Sequence, residues 1–116
     1  MPLLGFKKKF APDVESGKKR QTIRARRKYP IKVGDTLYLY TGLRTKGCKK
    51  LGEAVCEDIR HIIITEGSTI VINGKIARWK DQQSLAEADG FKEVSELVYF
   101  FFEEHGLPFE GHIINW

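Results

Sequence analysis

Cysteine is scarce in this sequence, and long hydrophobic runs are missing. Only two cysteines occur among the 116 residues, Cys48 and Cys56, and they lack the C-x-x-C spacing of a zinc or redox site. We expect Cys56 to be a small core residue and Cys48 to lie on a loop, without a disulfide. The longest apolar run, Leu97–Phe102, is far too short to span a bilayer.

No secretory leader is recognisable at the start of the chain. A few apolar residues are followed by Lys7-Lys8-Lys9, which is the reverse of the order in a signal peptide. We therefore expect a cytoplasmic protein that does not bind a membrane. The length of 116 residues predicts a single domain over residues 1–116, because two independent cores would not fit.

Charge is distributed unevenly along the chain. Residues 1–50 carry 15 Lys/Arg against 3 Asp/Glu, a net charge of +12, whereas residues 51–116 carry 5 against 12, a net charge of −7. Clustered cations release counterions when they bind phosphates, so this asymmetry indicates a polyanionic partner. The alternative is a solvated face that only keeps the protein soluble, and composition does not separate the two.

The pattern of apolar residues predicts short strands joined mostly by turns, with Asn73-Gly74 as the strongest hairpin signal. The predicted strands are Leu3–Phe6, Gln21–Ala25, Thr36–Tyr40, Leu51–Thr65, Thr69–Ile72, Lys75–Trp79 and Gly111–Trp116. Three helices are also predicted. The overall expectation is an α+β fold, with a mostly antiparallel β-barrel of about six strands and two to three helices packed on it.

Each predicted helix has a start or stop signal. Pro12 favours the start of a short first helix that Gly17 ends, and Asp81 is a candidate N-cap for a second helix over Gln82–Ala88. The third helix shows the i, i+3, i+4, i+7, i+8 pattern of a core-facing stripe. The stripe residues are Val94, Leu97, Val98, Phe101 and Phe102. We expect Phe100–Phe102 and Trp116 to lie in the core.

The segment Gly17–Arg24 is the densest cluster of cations in the chain. Its four cations are Lys18, Lys19, Arg20 and Arg24. Alternation along the following strand puts Thr22 and Arg24 on one face, with Lys19 just before it. A lysine, a hydroxyl and a guanidinium that converge on one point would suit a phosphate or a polar carbonyl. A basic surface loop is the alternative interpretation.

The spacing G-x-K-x-x-x-x-R in this segment resembles the motif of the ASCH family. Three further landmarks of that family follow in order along the chain. These are a glycine–aspartate turn that enters a strand, an acidic residue and glycine before an aromatic-rich helix, and an apolar closing strand. The four landmarks are Gly17–Arg24, Pro30–Leu37, Asp89-Gly90-Phe91 and Phe109–Trp116. Together they cover nearly the whole chain.

The resemblance implies a single ASCH domain with a PUA-like β-barrel, in which the motif residues line a cleft between the barrel and its helices. Members of the family have been linked to RNA binding, to cleavage of single-stranded RNA and to deacetylation of 4-acetylcytidine. We therefore predict an RNA- or nucleotide-binding domain with a cationic cleft around Gly17–Arg24, and a hydrolase of the family as the alternative. The predicted ligand-binding residues are Lys18, Arg20, Arg24, Arg26, Tyr40 and Arg44.

By the same resemblance, an acetylcytidine amidohydrolase would use Lys19, Thr22 and an acid near Asp89, for which Glu87 is the alternative. Amide hydrolysis needs an activated nucleophile and a charge that stabilises the oxyanion. Crowding by the neighbouring cations would let Lys19 lose its proton and serve as the base, while Arg24 would hold the oxyanion or a phosphate.

Two departures from the amidohydrolase pattern favour a longer, phosphate-bearing ligand. The loop Thr41–Lys50, which contains Arg44, is rich in cations, and Asp89 is one methylene shorter than a glutamate. Tyr38 or Tyr40 could offer a stacking face for a base, with ordinary barrel packing as the alternative for each.

A ribonuclease needs an acid–base pair or a metal ion. His61, His105 and His112 are widely separated along the sequence and show no metal-ligand spacing. We predict no metal site and no cofactor. The oligomeric state is left open by the sequence.

Overall fold

The chain folds into eight strands and three helices within residues 2–116, the part that the computed structural model describes; Met1 lies outside it. The strands are β1 (Leu3–Phe6), β2 (Gln21–Ala25), β3 (Thr36–Thr41), β4 (Lys49–Val55), β5 (Asp58–Ile64), β6 (Ile70–Ile72), β7 (Lys75–Ile76) and β8 (Phe109–Asn115). The helices are α1 (Ala11–Ser16), α2 (Trp79–Ala88) and α3 (Val94–His105). None of the helices in residues 2–116 is long and apolar enough to cross a membrane.

The strands form two sheets. The smaller sheet has the order β1-β3-β4, with β1 parallel and β4 antiparallel to β3. The larger sheet has the order β2-β8-β5-β6-β7 and is antiparallel throughout. The predicted α+β class and the mostly antiparallel pairing are confirmed. Within residues 2–116 the two sheets share no strand, so hydrogen bonds do not close them into a barrel.

The predicted long strand Leu51–Thr65 is wrong, because the chain changes sheets in the middle of it. Cys56 exchanges backbone hydrogen bonds with the end of the smaller sheet, its N–H donating to the Asp35 carbonyl at 2.8 Å. The next residue, Glu57, donates to the Asn115 carbonyl at 2.8 Å and so begins the pairing with β8. Cys56 is buried and Cys48 is exposed, as predicted, and both are free thiols.

The start of helix α2, the extent of β7 and the burial of Phe102 differ from the prediction. Helix α2 begins at Trp79, so Asp81 lies in its first turn, where a carboxylate suits the helix dipole but does not cap. The hairpin at Asn73-Gly74 is confirmed, but β7 is too short to include Trp79. Phe102 is 56% exposed, against the prediction. It lies eight residues after Val94, about 80° around the helix, at the edge of the buried stripe.

The main core lies between the larger sheet and helix α3. The buried side chains of that sheet include Ile62, Ile64, Ile70 and Ile113, each fully inaccessible to solvent. Phe101 of α3 packs against Phe109 of β8, with ring centroids 4.7 Å apart. Trp116, which follows β8, meets Phe6 of β1 at 5.9 Å and so joins the two sheets. This contact places the end of β1 beside β2.

The absence of a side chain at Gly111 allows β2 to lie close to β8. A Cβ atom built on Gly111 would be 2.1 Å from the carbonyl oxygen of Arg24. We predict that Gly111→Ala lowers the free energy of unfolding by about 1–3 kcal/mol, because β2 must move to admit the methyl group. Urea denaturation measures this loss.

Gly67→Ala is the matched control, since the nearest atom to its Cβ would be 3.9 Å away. The control should change the free energy of unfolding by less than about 0.5 kcal/mol. Equal stability of the two variants would contradict the close approach of β2 and β8.

Candidate functional site

The segment Gly17–Arg24 runs from the end of α1 into β2. Helix α1 ends at Gly17, whose φ of 83° is left-handed and favours glycine. The chain then turns back, and the Lys19 N–H donates to the Asp13 carbonyl at 2.9 Å. This turn directs the Lys19 side chain inward, whereas Lys18 and Arg20 remain exposed.

Lys19 and Asp89 form a buried ion pair. Only 3% of Lys19 and 5% of Asp89 is exposed. The Lys19 Nζ lies 3.3 Å from Asp89 Oδ1 and donates to the Asp89 carbonyl oxygen at 2.6 Å. The Gln21 side-chain amide donates to the same Oδ1 at 3.3 Å and to the Leu85 carbonyl at 3.2 Å. Because Asp89 is the C-cap of α2, these bonds tie the start of β2 to the end of that helix.

Thr22 and Arg24 lie on one face of β2, as the alternation predicts. The Arg24 Nε donates to Thr22 Oγ1 at 2.9 Å, and its Nη2 donates to the Gly5 carbonyl at 2.6 Å. The guanidinium carbon also lies 4.9 Å from the centroid of the Phe6 ring. Thr22 is buried and Arg24 is half-buried. These contacts hold the guanidinium in one orientation beside the threonine hydroxyl.

The four polar residues line a single cavity of about 150 Å³, to which β1, β2 and α3 also contribute side chains. Aromatic rings form most of its apolar wall, and a salt-bridged pair lies at its edge. The polar residues are Lys19, Thr22, Arg24 and Asp89; the rings are Phe6, Phe10, Phe100 and Phe101; the pair is Lys7 and Glu104. Few polar groups in an aromatic setting are typical of a ligand site.

Burial shifts both members of the ion pair towards their neutral forms. It lowers the pKa of Lys19, a shift that Asp89 opposes and the charge of Arg24 reinforces. It raises the pKa of Asp89, a shift that Lys19, Gln21 and Arg24 oppose. Lys19 was predicted to be crowded by Lys18, Arg20 and Arg24. Burial is the larger cause of the lowered pKa, and of the three cations only Arg24 contributes, because Lys18 and Arg20 are exposed.

The pKa of Arg24 is affected by the same environment. Burial lowers it to about 10, with Asp89 opposing the shift and Arg27 reinforcing it. This value is still well above neutral pH, so the guanidinium keeps its charge. Arg24 therefore offers a fixed cation, in contrast to Lys19, at the same wall of the cavity.

The structure brings Asp89, not Glu87, to the motif lysine. Glu87 is exposed, and its carboxylate accepts a hydrogen bond from Gln83 at 3.0 Å. The two acids are neighbours in sequence, but Glu87 still lies within α2 and points away from the cavity wall.

The other predicted ligand-binding residues lie outside this cavity. They are Lys18, Arg20, Arg26, Tyr40 and Arg44. The Arg20 Nε donates to the Trp116 carbonyl at 2.9 Å, which gives it a structural partner. Tyr40 alternates with the buried Leu39 and Thr41 and so points away from the core side of β3. Arg44 lies in the exposed loop before β4.

Sequence patterns missed the aromatic wall and one polar member of the site. Phe6, Phe10 and Phe100 come from three separate elements, and no local spacing links them to Lys19. Gln21 begins β2 and was not distinguished from its neighbours, although its amide holds Asp89. Only the glutamine's position in the motif strand could have indicated it.

Two histidines that are far apart in sequence meet across strands. His61 of β5 and His112 of β8 are register partners with ring centroids 5.9 Å apart, and His61 Nε2 lies 2.6 Å from Glu110 Oε2. The pairing follows from sheet topology, which sequence spacing does not reveal. Among residues 2–116, no group of three His, Cys, Asp or Glu side chains is arranged to hold a metal ion.

No protein-family model, curated protein or solved structure matches this chain. The ASCH resemblance rests on the four sequence landmarks and stays a prediction. The chemistry of the site is therefore argued from its own residues.

Removal of one partner of the buried pair should be costly. We predict that Lys19→Met lowers the free energy of unfolding by about 3–5 kcal/mol, since Asp89 loses its counter-charge. The double variant Lys19→Met/Asp89→Leu should recover most of this loss, because apolar replacements of a buried pair are often neutral or stabilising. Urea denaturation measures both, with the exposed Lys18→Met as control. A double variant as unstable as the single one would mean that the pair itself stabilises the fold.

The loss of unfolding free energy in Lys19→Met should also depend on pH. Burial raises the pKa of Asp89, and removal of Lys19 removes the strongest opposing charge. In the unfolded chain an aspartate ionises near pH 4, at a pKa of about 3.9, whereas the buried carboxyl resists ionisation. The variant should therefore lose stability relative to Lys18→Met as the pH rises from about 4 towards neutral. Urea midpoints over this range measure it, and a constant difference would contradict the assignment.

Proposed function

We propose that this chain is a nucleotide- or RNA-binding domain whose cavity receives a single-ring base. The observation that carries the proposal is the buried Lys19–Asp89 pair, which opens into the cavity beside Thr22 and Arg24. Burial of an ion pair costs desolvation free energy and is a poor way to stabilise a fold. Ionisable groups with shifted pKa values in a cavity therefore favour a functional role.

The size and lining of the cavity suit a pyrimidine. A cavity of about 150 Å³ accommodates benzene in another protein, so a six-membered ring fits and a fused purine is disfavoured. The phenylalanine rings supply stacking faces. A carboxylate such as Asp89 accepts from the exocyclic amine of cytosine, while cationic donors such as Lys19 and Arg24 suit the base carbonyl.

Charge and fold support a phosphate-bearing ligand of the ASCH class. The net charge of +12 over residues 1–50 favours a polyanion. The α+β fold, with its cleft between strand β2 and helices, agrees with what the resemblance implies. A PUA-like, barrel-like arrangement is part of this proposal, with the two sheets packed through Phe6 and Trp116.

A second candidate is hydrolysis of the acetyl group of 4-acetylcytidine in the same cavity. It is favoured by the lowered pKa of Lys19 and by the bond from Arg24 to Thr22 Oγ1. Because Oγ1 accepts that bond, the threonine O–H is free to donate.

In this reaction water adds to the acetyl carbonyl and the C–N bond breaks, which gives acetate and cytidine. Neutral Lys19 would take a proton from Thr22 or the water and return it to the leaving amine. Arg24 would stabilise the negative charge on the carbonyl oxygen.

Binding is the first test. We predict that cytidine binds the wild-type protein and that Lys19→Ala weakens it by about tenfold or more, a loss of roughly 1.4 kcal/mol. Isothermal titration measures the affinity. Lys18→Ala removes the same charge from an exposed neighbour and should leave the affinity unchanged. Thr22→Val is nearly isosteric and tests the contribution of the cavity to cytidine affinity without loss of charge. Thr36→Val on β3 is its control. Absence of binding by both cytidine and single-stranded RNA at low salt would contradict the proposal.

Catalysis is tested with the same variants. 4-Acetylcytidine and single-stranded RNA are incubated with the protein, with and without magnesium or manganese. Release of cytidine that is lost in Lys19→Ala and Thr22→Val would establish the amidohydrolase, and RNA fragments under the same controls would establish a ribonuclease. Unchanged substrates with retained binding would leave a binding domain.

A further inference from the structure

A second cavity, of about 260 Å³, lies on the other side of Arg24. Basic side chains line it, and its remaining wall is apolar. The basic residues are Arg24, Arg26, Arg27 and His112; the apolar residues are Ile31, Ile59 and Ile114. Arg24 lines both cavities, so the two sites are adjacent.

The fold brings these basic side chains together from separate segments. Arg24 and His112 are direct register partners on β2 and β8, and the loop that follows β2 carries Arg26 and Arg27. Ile31, at the end of that loop, is buried and anchors it against the fold. The cluster is therefore positioned by the sheet and is not a free tail.

Nearby acids balance only part of the charge of this cluster. The hydrogen bond from His61 and, less strongly, the charges of Arg26 and His112 lower the pKa of Glu110. Within residues 2–116, neither Arg26 nor Arg27 forms a salt bridge. The neighbouring carboxylate of Glu110 is engaged by His61 at 2.6 Å. Arg27 is near enough to Arg24 to affect its ionisation. Like charges that are held together and only partly balanced attract an anion, and arginine matches the geometry of phosphate oxygens.

We propose that this second cavity binds a phosphate group of the nucleotide whose base occupies the Lys19 cavity. The link to a base rests on the function proposed above, whereas phosphate recognition itself does not. The apolar residues provide a surface for the ribose between the two groups. The ligand is then a phosphorylated nucleotide, free or within single-stranded RNA, and a bare nucleoside fills only half of the site.

The test compares cytidine with cytidine 3′- and 5′-monophosphate by isothermal titration. We expect the monophosphate that binds more tightly to have a Kd about tenfold lower than that of cytidine. In the Arg26→Gln/Arg27→Gln variant the monophosphate should bind no more tightly than cytidine, while the affinity for cytidine is unchanged. Lys75→Gln/Lys80→Gln is the matched control, because it removes two exposed cations near β7, at the opposite edge of the larger sheet, and should keep the tighter binding of the monophosphate.

A short single-stranded RNA distinguishes the two sources of phosphate. If it binds more tightly than either monophosphate and responds to the same arginine variant, the ligand is RNA; if not, it is a free nucleotide. Two results would overturn the assignment of the second cavity. One is tighter binding of the monophosphate than of cytidine that persists in Arg26→Gln/Arg27→Gln, and the other is equal binding of the two ligands by the wild type.

Inorganic phosphate separates this inference from the function proposed for the first cavity. Its titration is followed through the NMR signals of the arginine Nε–H groups and the His112 ring. A response at Arg26, Arg27 and His112 without binding of cytidine supports the second cavity and contradicts the first. Binding of cytidine without that response does the reverse. If neither inorganic phosphate nor cytidine binds, the assignments of both cavities are contradicted.

Discussion

The ion pair between Lys19 and Asp89 joins the basic N-terminal half of the chain to its acidic C-terminal half. Its atoms lie in the interior, where charges are stable only if they are paired and hydrogen-bonded. The Asp89 carbonyl and carboxylate and the Gln21 amide meet that requirement. The start of β2 and the end of α2 are fixed relative to each other by the same bonds. These bonds hold the Lys19 and Asp89 side chains together at the wall of the cavity.

The rest of the site follows from where that pair places β2. This strand lies at the edge of the larger sheet, where it pairs with β8 on one side only. Thr22 and Arg24, two residues apart, then share the face beside the pair. Arg24 in turn reaches the Gly5 carbonyl at the end of β1 and so connects the larger sheet to the smaller one. Packing and polar contacts thus support the same geometry.

The sequence predicted the parts of this arrangement that depend on local spacing. Alternation placed Thr22 and Arg24 together, and Asn73-Gly74 specified its hairpin. The change of sheet at Cys56 escaped prediction because no glycine, proline or asparagine marks a turn there, and only the partners of the backbone reveal it. The burial of Lys19 escaped for a similar reason. Its neighbours are equally basic, and what selects it is a turn at Gly17 together with an acid that is remote in sequence.

The two cations that flank Thr22 are suited to different tasks. The ammonium of Lys19 is a compact charge whose pKa burial lowers, a shift that Asp89 opposes. The guanidinium of Arg24 keeps its charge in the same environment and has donors in a fixed fork. A compact ammonium suits the polar edge of a base or an acyl carbonyl, whereas a forked guanidinium suits the oxygens of an anion. Because Arg24 lies between the two cavities, both properties act on a single bound molecule when its base and its phosphate occupy them together.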